Sequence, residues 1–354
     1  MKKNEYKILG VMSGTSLDGI DLAFIQFNRI GHWSFTIEAS STIPYSQSWK
    51  ESLTTAIEQG PEELQQLDER YTEYLAKVIS KFIEDNAISG LDAVCSHGHT
   101  IKHEPENGLT LQIGNLPELA ELTGQTVVCD FRVQDVALGG QGAPLVPIGD
   151  ELLFPEYKYC LNLGGFANIS TSVDGQRLAY DICPVNTVLN YYAEKLGMEY
   201  DKDGEIARSG FLNAELLEEL EALSFYKLPA PKSLGIEWVH KEVLPLLKKY
   251  ESDIPSILRT WCLHAAMQIS KELGNEEGAD VLVTGGGCFN VFLLQQIRKM
   301  TQTHLVIPSV EIINFKEALI FGFLGVLKLR GEVNVLSSVT GAENDHSSGV
   351  IFLP

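Results

Sequence analysis

Apolar residues at the start of the chain form three strand-like segments that are separated by short polar turns. The segments cover residues 8–12, 20–27 and 33–41. Three consecutive strands joined by tight turns predict an antiparallel meander. From Pro61 to Phe82 the apolar positions then recur at helical spacing. The short strands that follow alternate with helices, which predicts parallel pairing in the same sheet.

The same pattern returns in the second half of the chain. A strand at 158–163 leads into a small-residue turn at 164–168, and strands at 169–173 and 178–182 follow. Because strand, glycine turn, strand, hairpin and strand occur twice, a duplicated α/β domain is the simplest explanation. We place the boundary just before the Gly/Pro-rich segment 139–147.

A third small-residue turn, Gly285-Gly286-Gly287, lies between a predicted strand at 280–283 and a predicted helix at 289–300. A helix N-terminus after such a turn can face an anion. None of the three turns matches a Walker A loop or a G-x-G-x-x-G fingerprint, so neither a P-loop nor a Rossmann site is indicated. A second apolar helix is predicted at 318–329.

The first turn, residues 13–19, combines glycines and hydroxyls with Asp18, and Asp21 follows it. Glycines allow backbone N–H groups to approach an anion closely. The two carboxylates fit an anion only if it is a phosphate accompanied by Mg²⁺. An ordinary polar β-turn is the alternative for this stretch alone. Two phosphate-binding hairpins and a Gly-rich adenosine turn, taken together, form the plan of the actin/hexokinase-like ATPase fold.

Composition limits the partners of the protein. The chain of 354 residues has a formal net charge of −20, which argues against nucleic acid and anionic lipid. Its six cysteines contain no C-x-x-C pair, which suits reduced thiols. The first residues lack the apolar core of a signal peptide, and no stretch approaches a membrane span. We therefore expect a cytoplasmic protein without a membrane partner.

Ten patches, in order along nearly the whole chain, resemble the anhydro-N-acetylmuramic acid kinase family of the sugar-kinase, heat-shock and actin superfamily. The patches are GVMSGTSLDGID (10–21), SHGHT (96–100), LQIGN (111–115), DFRVQDVALGGQGAPLVP (130–147), LNLGGFANIS (161–170), YDKDGEIARSG (200–210), APKS (230–233), TGGGCFN (284–290), FKEA (315–318) and VTGA (339–342).

The resemblance implies an α/β protein of two RNase H-like domains with the active site in the interdomain cleft. We expect one domain to comprise residues 1–137 and 331–354 and the other residues 138–330. Enzymes of this family open the anhydro bridge of 1,6-anhydro-N-acetylmuramic acid with water. They phosphorylate the freed O6 from ATP with Mg²⁺, giving N-acetylmuramic acid 6-phosphate in cell-wall recycling. The resemblance also implies a homodimer with a small sugar as substrate.

Site residues follow from the turns and from the resemblance. The catalytic base of the family falls on Asp181, and Asp18 is a candidate Mg²⁺ ligand. Candidate substrate-binding residues are His97, Arg132, Glu317 and Asn186. Candidate ATP-binding residues are Ser13, Gly14, Thr15, Ser16, Leu17, Asp18, Gly19, Ile20, Asp21, Gly164, Gly165, Asn168, Gly285, Gly286, Gly287 and Asn290.

Several of these residues have structural alternatives. Asp181 could cap a helix that starts near Pro184, and Glu317 has capping-box spacing from Asn314. Arg132 could form a surface salt bridge. His97 and His99 alternate in a strand-like run, so we expect them to share a face. A metal site there is disfavoured because no acidic or cysteine ligand is near in sequence.

The sequence departs from the family beside the expected reaction centre. After the catalytic aspartate the family usually has Thr-Gly-Pro-Gly-Asn, whereas this chain has Ile182-Cys183-Pro184-Val185-Asn186. His99 also stands where glutamine is usual. Since glycines allow close approach of backbone to a ligand, the changes keep two alternatives open. The chain could phosphorylate another small sugar, or it could be a catalytically silent ATP-binding relative.

Overall fold

The computed structural model describes residues 2–14, 16–274 and 276–354. Its strands are β1 (Glu5–Ser13), β2 (Gly19–Ile30), β3 (His32–Pro44), β4 (Ala93–Glu104), β5 (Leu109–Ile113), β6 (Val127–Cys129), β7 (Tyr159–Leu163), β8 (Phe166–Val173), β9 (Gln176–Pro184), β10 (Asp280–Thr284), β11 (His304–Val306) and β12 (Val350–Phe352). Its helices are α1 (Gln47–Thr55), α2 (Pro61–Asp85), α3 (Glu118–Thr123), α4 (Val133–Ala137), α5 (Pro147–Leu153), α6 (Asn186–Glu194), α7 (Glu205–Ser209), α8 (Ala214–Glu221), α9 (Ile236–Trp238), α10 (Leu244–Lys248), α11 (Ile254–Leu273), α12 (Val291–Met300), α13 (Val310–Leu329) and α14 (Ser337–Thr340).

The chain forms two compact units. The first unit comprises Met1–Phe154 and Phe315–Pro354, and the second comprises Pro155–Asn314. These bounds differ from the expected domain bounds near 137 and 330. The difference arises because α5 and most of α13 pack on the first unit: Gly149 of α5 lies against Ile320, and Gly10 of β1 lies against Ala318.

The sheet of the first unit has the strand order β12-β6-β4-β1-β2-β3, with β5 paired to β4. The first three strands form the predicted antiparallel meander, and β4 runs parallel to β1. Leu9 and Val11 of β1 face the core that contains α2. Gly10, which points to the opposite face, meets α13. The sheet therefore separates α2 from α13, as expected from alternation along a strand.

The sheet of the second unit has the order β11-β10-β7-β8-β9. Again the first three strands are antiparallel neighbours, and β10 runs parallel to β7. Its core packs α11, with Trp261 fully buried, against α6, α8 and α12. Because the same strand order and directions occur in both units, the predicted duplication and the fold class of two RNase H-like domains are confirmed.

Three local predictions need correction. Helix α13 begins at Val310 rather than at 318, because Ser309 caps it by accepting a hydrogen bond from Ile312 N at 3.3 Å. Glu317 is therefore inside a helix, and its predicted capping box with Asn314 is wrong. Helix α12 begins after Asn290, since residues 286–289 form a 3₁₀ turn.

Candidate active site

The first hairpin joins β1 to β2, two inner strands of the first sheet. Ser13 pairs with Ile20 at its base, and Gly19 has no room for a side chain because a Cβ would lie 2.4 Å from Ile43 O. Leu17 adopts a left-handed conformation with φ of 60°. Ile20 is fully buried in the core, so its backbone alone is available to a ligand. Thr15 lies outside the described residues.

A buried chain of hydroxyl groups anchors this hairpin. Ser13 Oγ lies 2.6 Å from Tyr45 OH and 2.7 Å from His99 Nδ1, and Tyr45 OH lies 2.6 Å from Tyr71 OH. Whichever way the protons are donated along this row of groups, Ser13 donates its hydroxyl hydrogen to either His99 or Tyr45. Burial lowers the pKa of His99 to about 4, so its ring is neutral near pH 7. Ser13 therefore holds the hairpin in place with its side chain, which leaves only its backbone for contact with a ligand.

Two carboxylates follow the hairpin turn. Asp18 is exposed, whereas Asp21 is half-buried and accepts a hydrogen bond of 2.5 Å from Thr42 Oγ1. Partial burial raises the pKa of Asp21, and the neighbouring Asp18 raises it further. Among the described residues, no group of three or more His, Cys, Asp or Glu side chains is arranged to hold a metal ion. Asp18 remains a candidate for a metal that a phosphate brings with it.

Arg132, half-buried at the start of α4, forms a pair with the buried His97 of β4. His97 Nδ1 donates to Gly98 O at 2.9 Å, because that carbonyl can only accept. His97 Nε2 must then accept the 2.8 Å hydrogen bond from Arg132 Nε. Arg132 Nη1 donates to Gly142 O at 2.6 Å. Both ring nitrogens of His97 are used in this way, so the ring holds Arg132 rather than presenting a group to a ligand.

His97 and His99 do not share a face, contrary to the prediction. The pairing of β1 with β4 shifts register between Val11 and Ser13, and Gly98 has a φ of +74°. This bulge turns His97 towards Phe321 of α13 and His99 towards Tyr71 of α2. The extra residue explains the error, since a bulge breaks the alternation of side chains along a strand.

Helix α13 carries Glu317 in the first unit. The Glu317 side chain is exposed to solvent. The protein around it nevertheless removes part of its hydration, which raises its pKa, whereas the positive charge of Arg132 lowers it. The adjacent Lys316 points the other way and forms a buried 2.7 Å ion pair with Asp150. Arg132 and Glu317 therefore present opposite charges on the same unit, and the surface salt-bridge alternative for Arg132 does not describe its half-buried environment.

The second hairpin lies against the start of α6. Gly165 O accepts from Val185 N at 2.7 Å, and Gly164 O accepts from Asn186 N at 3.2 Å. Asn186 Nδ2 donates to Leu163 O at 3.3 Å. The glycine carbonyls are thus turned towards the helix. Gly165 is exposed, so its peptide can be approached by a ligand.

The third glycine turn lies directly beside the second hairpin. A Cβ on Gly285 would lie 2.8 Å from Leu163 O, and one on Gly287 would lie 2.9 Å from the same atom. Gly286 is exposed. Asn290 instead caps α12 by accepting a 2.9 Å hydrogen bond from Leu293 N. The structure therefore brings the two predicted nucleotide turns of the second unit together, with the Asn290 side chain used in capping.

Asp181 lies on β9, where it is paired in register with Asn168 of β8. Its Oδ2 accepts hydrogen bonds from Leu234 N at 2.9 Å and from Ser233 Oγ at 3.4 Å. Partial burial raises the pKa of Asp181, and these two hydrogen bonds lower it in part. The alternative that Asp181 caps a helix is wrong, because α6 begins at Asn186 and its N-cap is Val185.

The residues that replace family glycines point into the protein core. Cys183 and Val185 are both fully buried in the hydrophobic core of the second unit. Val185 has a φ of −124°, which does not require glycine. The two side chains are therefore covered by core atoms, while Asp181 stays half-buried. Ser233 and Leu234 were missed as partners of Asp181, although Ser233 belongs to one of the family-like patches.

The chain resembles known proteins along nearly its whole length. The family model for anhydro-N-acetylmuramic acid kinase matches residues 6–354. The chain is 35% identical to the anhydro-N-acetylmuramic acid kinase of Actinobacillus pleuropneumoniae serotype 5b (strain L20), over 99% of this chain and 100% of that protein. It is 32% identical to the enzyme of the same name from Haemophilus influenzae, over 99% and 98% of the two chains.

Component A of (R)-2-hydroxyglutaryl-CoA dehydratase from Acidaminococcus fermentans is a similar solved structure. It has a TM-score of 0.46 and 13% identity, over 90% of this chain and 95% of that chain, a likeness that supports no conclusion here. Among the described residues, no helix is long and apolar enough to cross a membrane. The match along nearly the whole sequence shows that this chain belongs to the anhydro-N-acetylmuramic acid kinase family.

Proposed function

We propose that this protein is an ATP-dependent kinase that opens 1,6-anhydro-N-acetylmuramic acid with water and phosphorylates O6. The product is N-acetylmuramic acid 6-phosphate. Membership of the family supports the proposal. The observation that carries it is Asp181, a half-buried carboxylate beside the second hairpin whose Oδ2 is held by Leu234 N at 2.9 Å.

Asp181 would act as the general base. It would take a proton from the water that attacks the anomeric carbon, and the bond from that carbon to O6 would break. O6 would attack the γ-phosphorus, and the bond to the leaving ADP would break. The raised pKa of Asp181 makes it a stronger base than an ordinary aspartate. Its backbone hydrogen bond keeps the carboxylate in one orientation.

The residues of both hairpins fit a nucleotide. Gly165 and Gly286 are exposed where peptide N–H groups can reach phosphates, and Asp18 is an exposed carboxylate at the first hairpin. We propose that these residues bind ATP and that Asp18 helps to hold Mg²⁺. When bound, Mg²⁺ would neutralise phosphate charge. Positioning and electrostatics would supply most of the remaining acceleration, as in other phosphoryl transfers.

Arg132 and Glu317 would bind the sugar. An acid sugar needs a cation, and the Arg132 guanidinium is held firmly by His97 and Gly142. Burial lowers the pKa of Arg132 to about 10, which leaves it charged at neutral pH. Glu317 can accept hydrogen bonds from sugar hydroxyls.

We also propose that the protein is a cytoplasmic homodimer. We propose no nucleic-acid partner, because the net charge of −20 disfavours binding to nucleic acid.

Replacement of Asp181 tests this proposal. Asp181→Asn keeps the shape of the side chain but removes the base, so sugar-dependent release of ADP should fall at least about a hundredfold. Binding of Mg²⁺-ATP, measured by calorimetry, should stay close to that of the parent protein. Asp174→Asn is the matched control, because Asp174 is exposed in a turn of the same unit with a φ of 50° that asparagine tolerates. Turnover retained by Asp181→Asn would remove Asp181 from this role.

A further inference from the structure

The short C-terminal helix α14 is joined to the loop after α4. Thr340, the last residue of α14, is 1% exposed. Its Oγ1 donates a hydrogen bond of 2.7 Å to Asp135 Oδ1. Its backbone carbonyl accepts from Gln141 N at 2.8 Å. Residues far apart in sequence are therefore held together by two hydrogen bonds through Thr340.

The Asp135 side chain lies inside the loop that follows α4 and accepts hydrogen bonds there. The side chain is fully buried, and its Oδ2 accepts a hydrogen bond of 2.6 Å from Gly142 N. The loop is wound closely around this carboxylate, since a Cβ on Gly140 would lie 2.3 Å from Asp135 Oδ2. His346 Nε2 lies 3.6 Å from Oδ1, which is too long for a hydrogen bond. Thr340 and Gly142 thus share one carboxylate.

Gly142 connects Asp135 to Arg132 through two hydrogen bonds. Its carbonyl accepts from Arg132 Nη1 at 2.6 Å, while its own N–H is tied to Asp135. His97 fixes the other side of the guanidinium through Arg132 Nε. Within residues 2–14, 16–274 and 276–354, Arg132 Nη2 donates no hydrogen bond to protein. Two of five N–H groups therefore set the plane of the guanidinium and leave one edge for a ligand.

We propose that Thr340 and Asp135 are positioning residues that preset the Arg132 guanidinium for the sugar through Gly142. This inference rests on the proposed contact between Arg132 and the sugar. Thr340 touches neither the substrate nor the reacting atoms in this scheme. Its contribution is preorganisation, because a donor held in its bound orientation loses less freedom on binding. The family-like patch VTGA thereby acquires a function in sugar binding.

Removal of one hydroxyl group tests the proposal. Thr340→Val keeps the volume but leaves Asp135 Oδ1 without its donor, so the KM for the sugar should rise about tenfold. The KM for ATP should stay within about twofold, and Thr340→Ser should restore the parent value because it keeps the hydroxyl. Thr171→Val is the matched control: Thr171 is also buried, and its hydroxyl donates to Lys158 O at 3.0 Å in the second unit. It should leave the KM for the sugar unchanged.

A double-mutant cycle separates positioning from a general loss of structure. In the Arg132→Ala background, Thr340→Val should change the KM for the sugar less than about twofold. Full additivity of the two changes would overturn the proposal. If Thr340→Val does not fold, Thr340→Cys replaces it, because a thiol has similar size but is a weaker donor. Its KM should then lie between the parent value and that of Arg132→Ala, and a parent-like value would overturn the proposal.

A second readout does not depend on catalysis. In the parent protein the Arg132 Nε proton should exchange slowly with solvent, because Arg132 Nε donates it to His97 Nε2 in a hydrogen bond of 2.8 Å. Thr340→Val should speed this exchange at least about tenfold, measured by NMR; unchanged exchange would overturn the positioning role. If the parent protein shows no sugar-dependent turnover, the proposed function fails while this measurement still decides the positioning. If Arg132→Ala leaves the KM for the sugar unchanged, the sugar contact fails on its own.

Discussion

Asp181 owes its chemistry to contacts from a distant loop. Leu234 N and Ser233 Oγ both approach its Oδ2, and they hold the carboxylate while burial keeps it partly dehydrated. These two effects act in opposite directions on its pKa, and dehydration is the larger. Asp181 is therefore more basic than an exposed aspartate, as a general base requires.

The acid limb of the pH profile should report this balance. Turnover should fall as the pH drops through a midpoint above that of an ordinary aspartate, because protonated Asp181 cannot act as a base. Ser233→Ala removes one hydrogen bond to the ionised form, so it should move this limb to higher pH, because that hydrogen bond lowers the pKa of Asp181. The measurement is kcat/KM against pH for both proteins. Glu317 also has a raised pKa, and a limb that stays in place in Ser233→Ala would assign the titration elsewhere.

At the scale of single residues, the sequence identified candidate site residues better than the groups that they contact. Asp181, Arg132 and Glu317 were identified as site candidates by their resemblance to family patches. Sequence could not predict that both nitrogens of His97 are used by Gly98 and Arg132. That arrangement depends on a single extra residue in β4, and a bulge leaves no periodic signal.

Among the elements, α13 does most to place Glu317, which we propose binds the sugar. It crosses β1 so closely that a Cβ on Gly10 would lie 2.1 Å from Ala318 O. A second close approach occurs where Gly325 meets Cys95 of β4. The contact at Gly10 requires glycine because backbone faces backbone, and at Gly325 the Cys95 side chain leaves no room for a Cβ. Glu317 immediately precedes Ala318, so its position depends on this packing.

Gly10→Ala should therefore impair both stability and sugar binding. The added methyl group pushes α13 away from the sheet, which should lower the free energy of unfolding by about 1–3 kcal/mol. The KM for the sugar should rise because Glu317 moves with the helix. Urea unfolding and steady-state kinetics measure the two effects.

Gly60→Ala is the control for this change. A Cβ at Gly60 would meet nothing closer than Glu63 Oε2 at 3.7 Å. It should leave the KM for the sugar at the parent value. If Gly10→Ala behaved like Gly60→Ala, the close packing of α13 would not set the site.

Periodicity predicted most of the elements but misplaced some of their ends. The meander and the long helix α2 follow directly from apolar spacing. The first turns of α13 carry Glu311 and Asn314 among apolar residues, so the helix start at Val310 was not visible as a stripe.

Over the whole molecule, the two units repeat one strand order. The duplication was predictable because each copy begins with the same strand, glycine turn and strand. The bounds of the compact units could not be predicted, because α13 follows the second unit in sequence but packs on the first sheet. A contact between segments this far apart in sequence is decided by tertiary packing rather than by local pattern.

The fold accommodates the departures from the family pattern. Cys183 and Val185 enlarge the hydrophobic core of the second unit, and Asp181 keeps its hydrogen bonds. His99 ends the hydroxyl chain that anchors Ser13. These positions give no structural reason to expect a substrate other than 1,6-anhydro-N-acetylmuramic acid.

The most direct test is the mass of the sugar product. Purified protein is incubated with Mg²⁺-ATP and 1,6-anhydro-N-acetylmuramic acid, and the product is analysed by mass spectrometry together with the ADP released. We expect one product that has gained one water and one phosphoryl group, in an amount equal to the ADP released. A phosphorylated sugar without the added water, or no sugar-dependent ADP while ATP still binds, would contradict it.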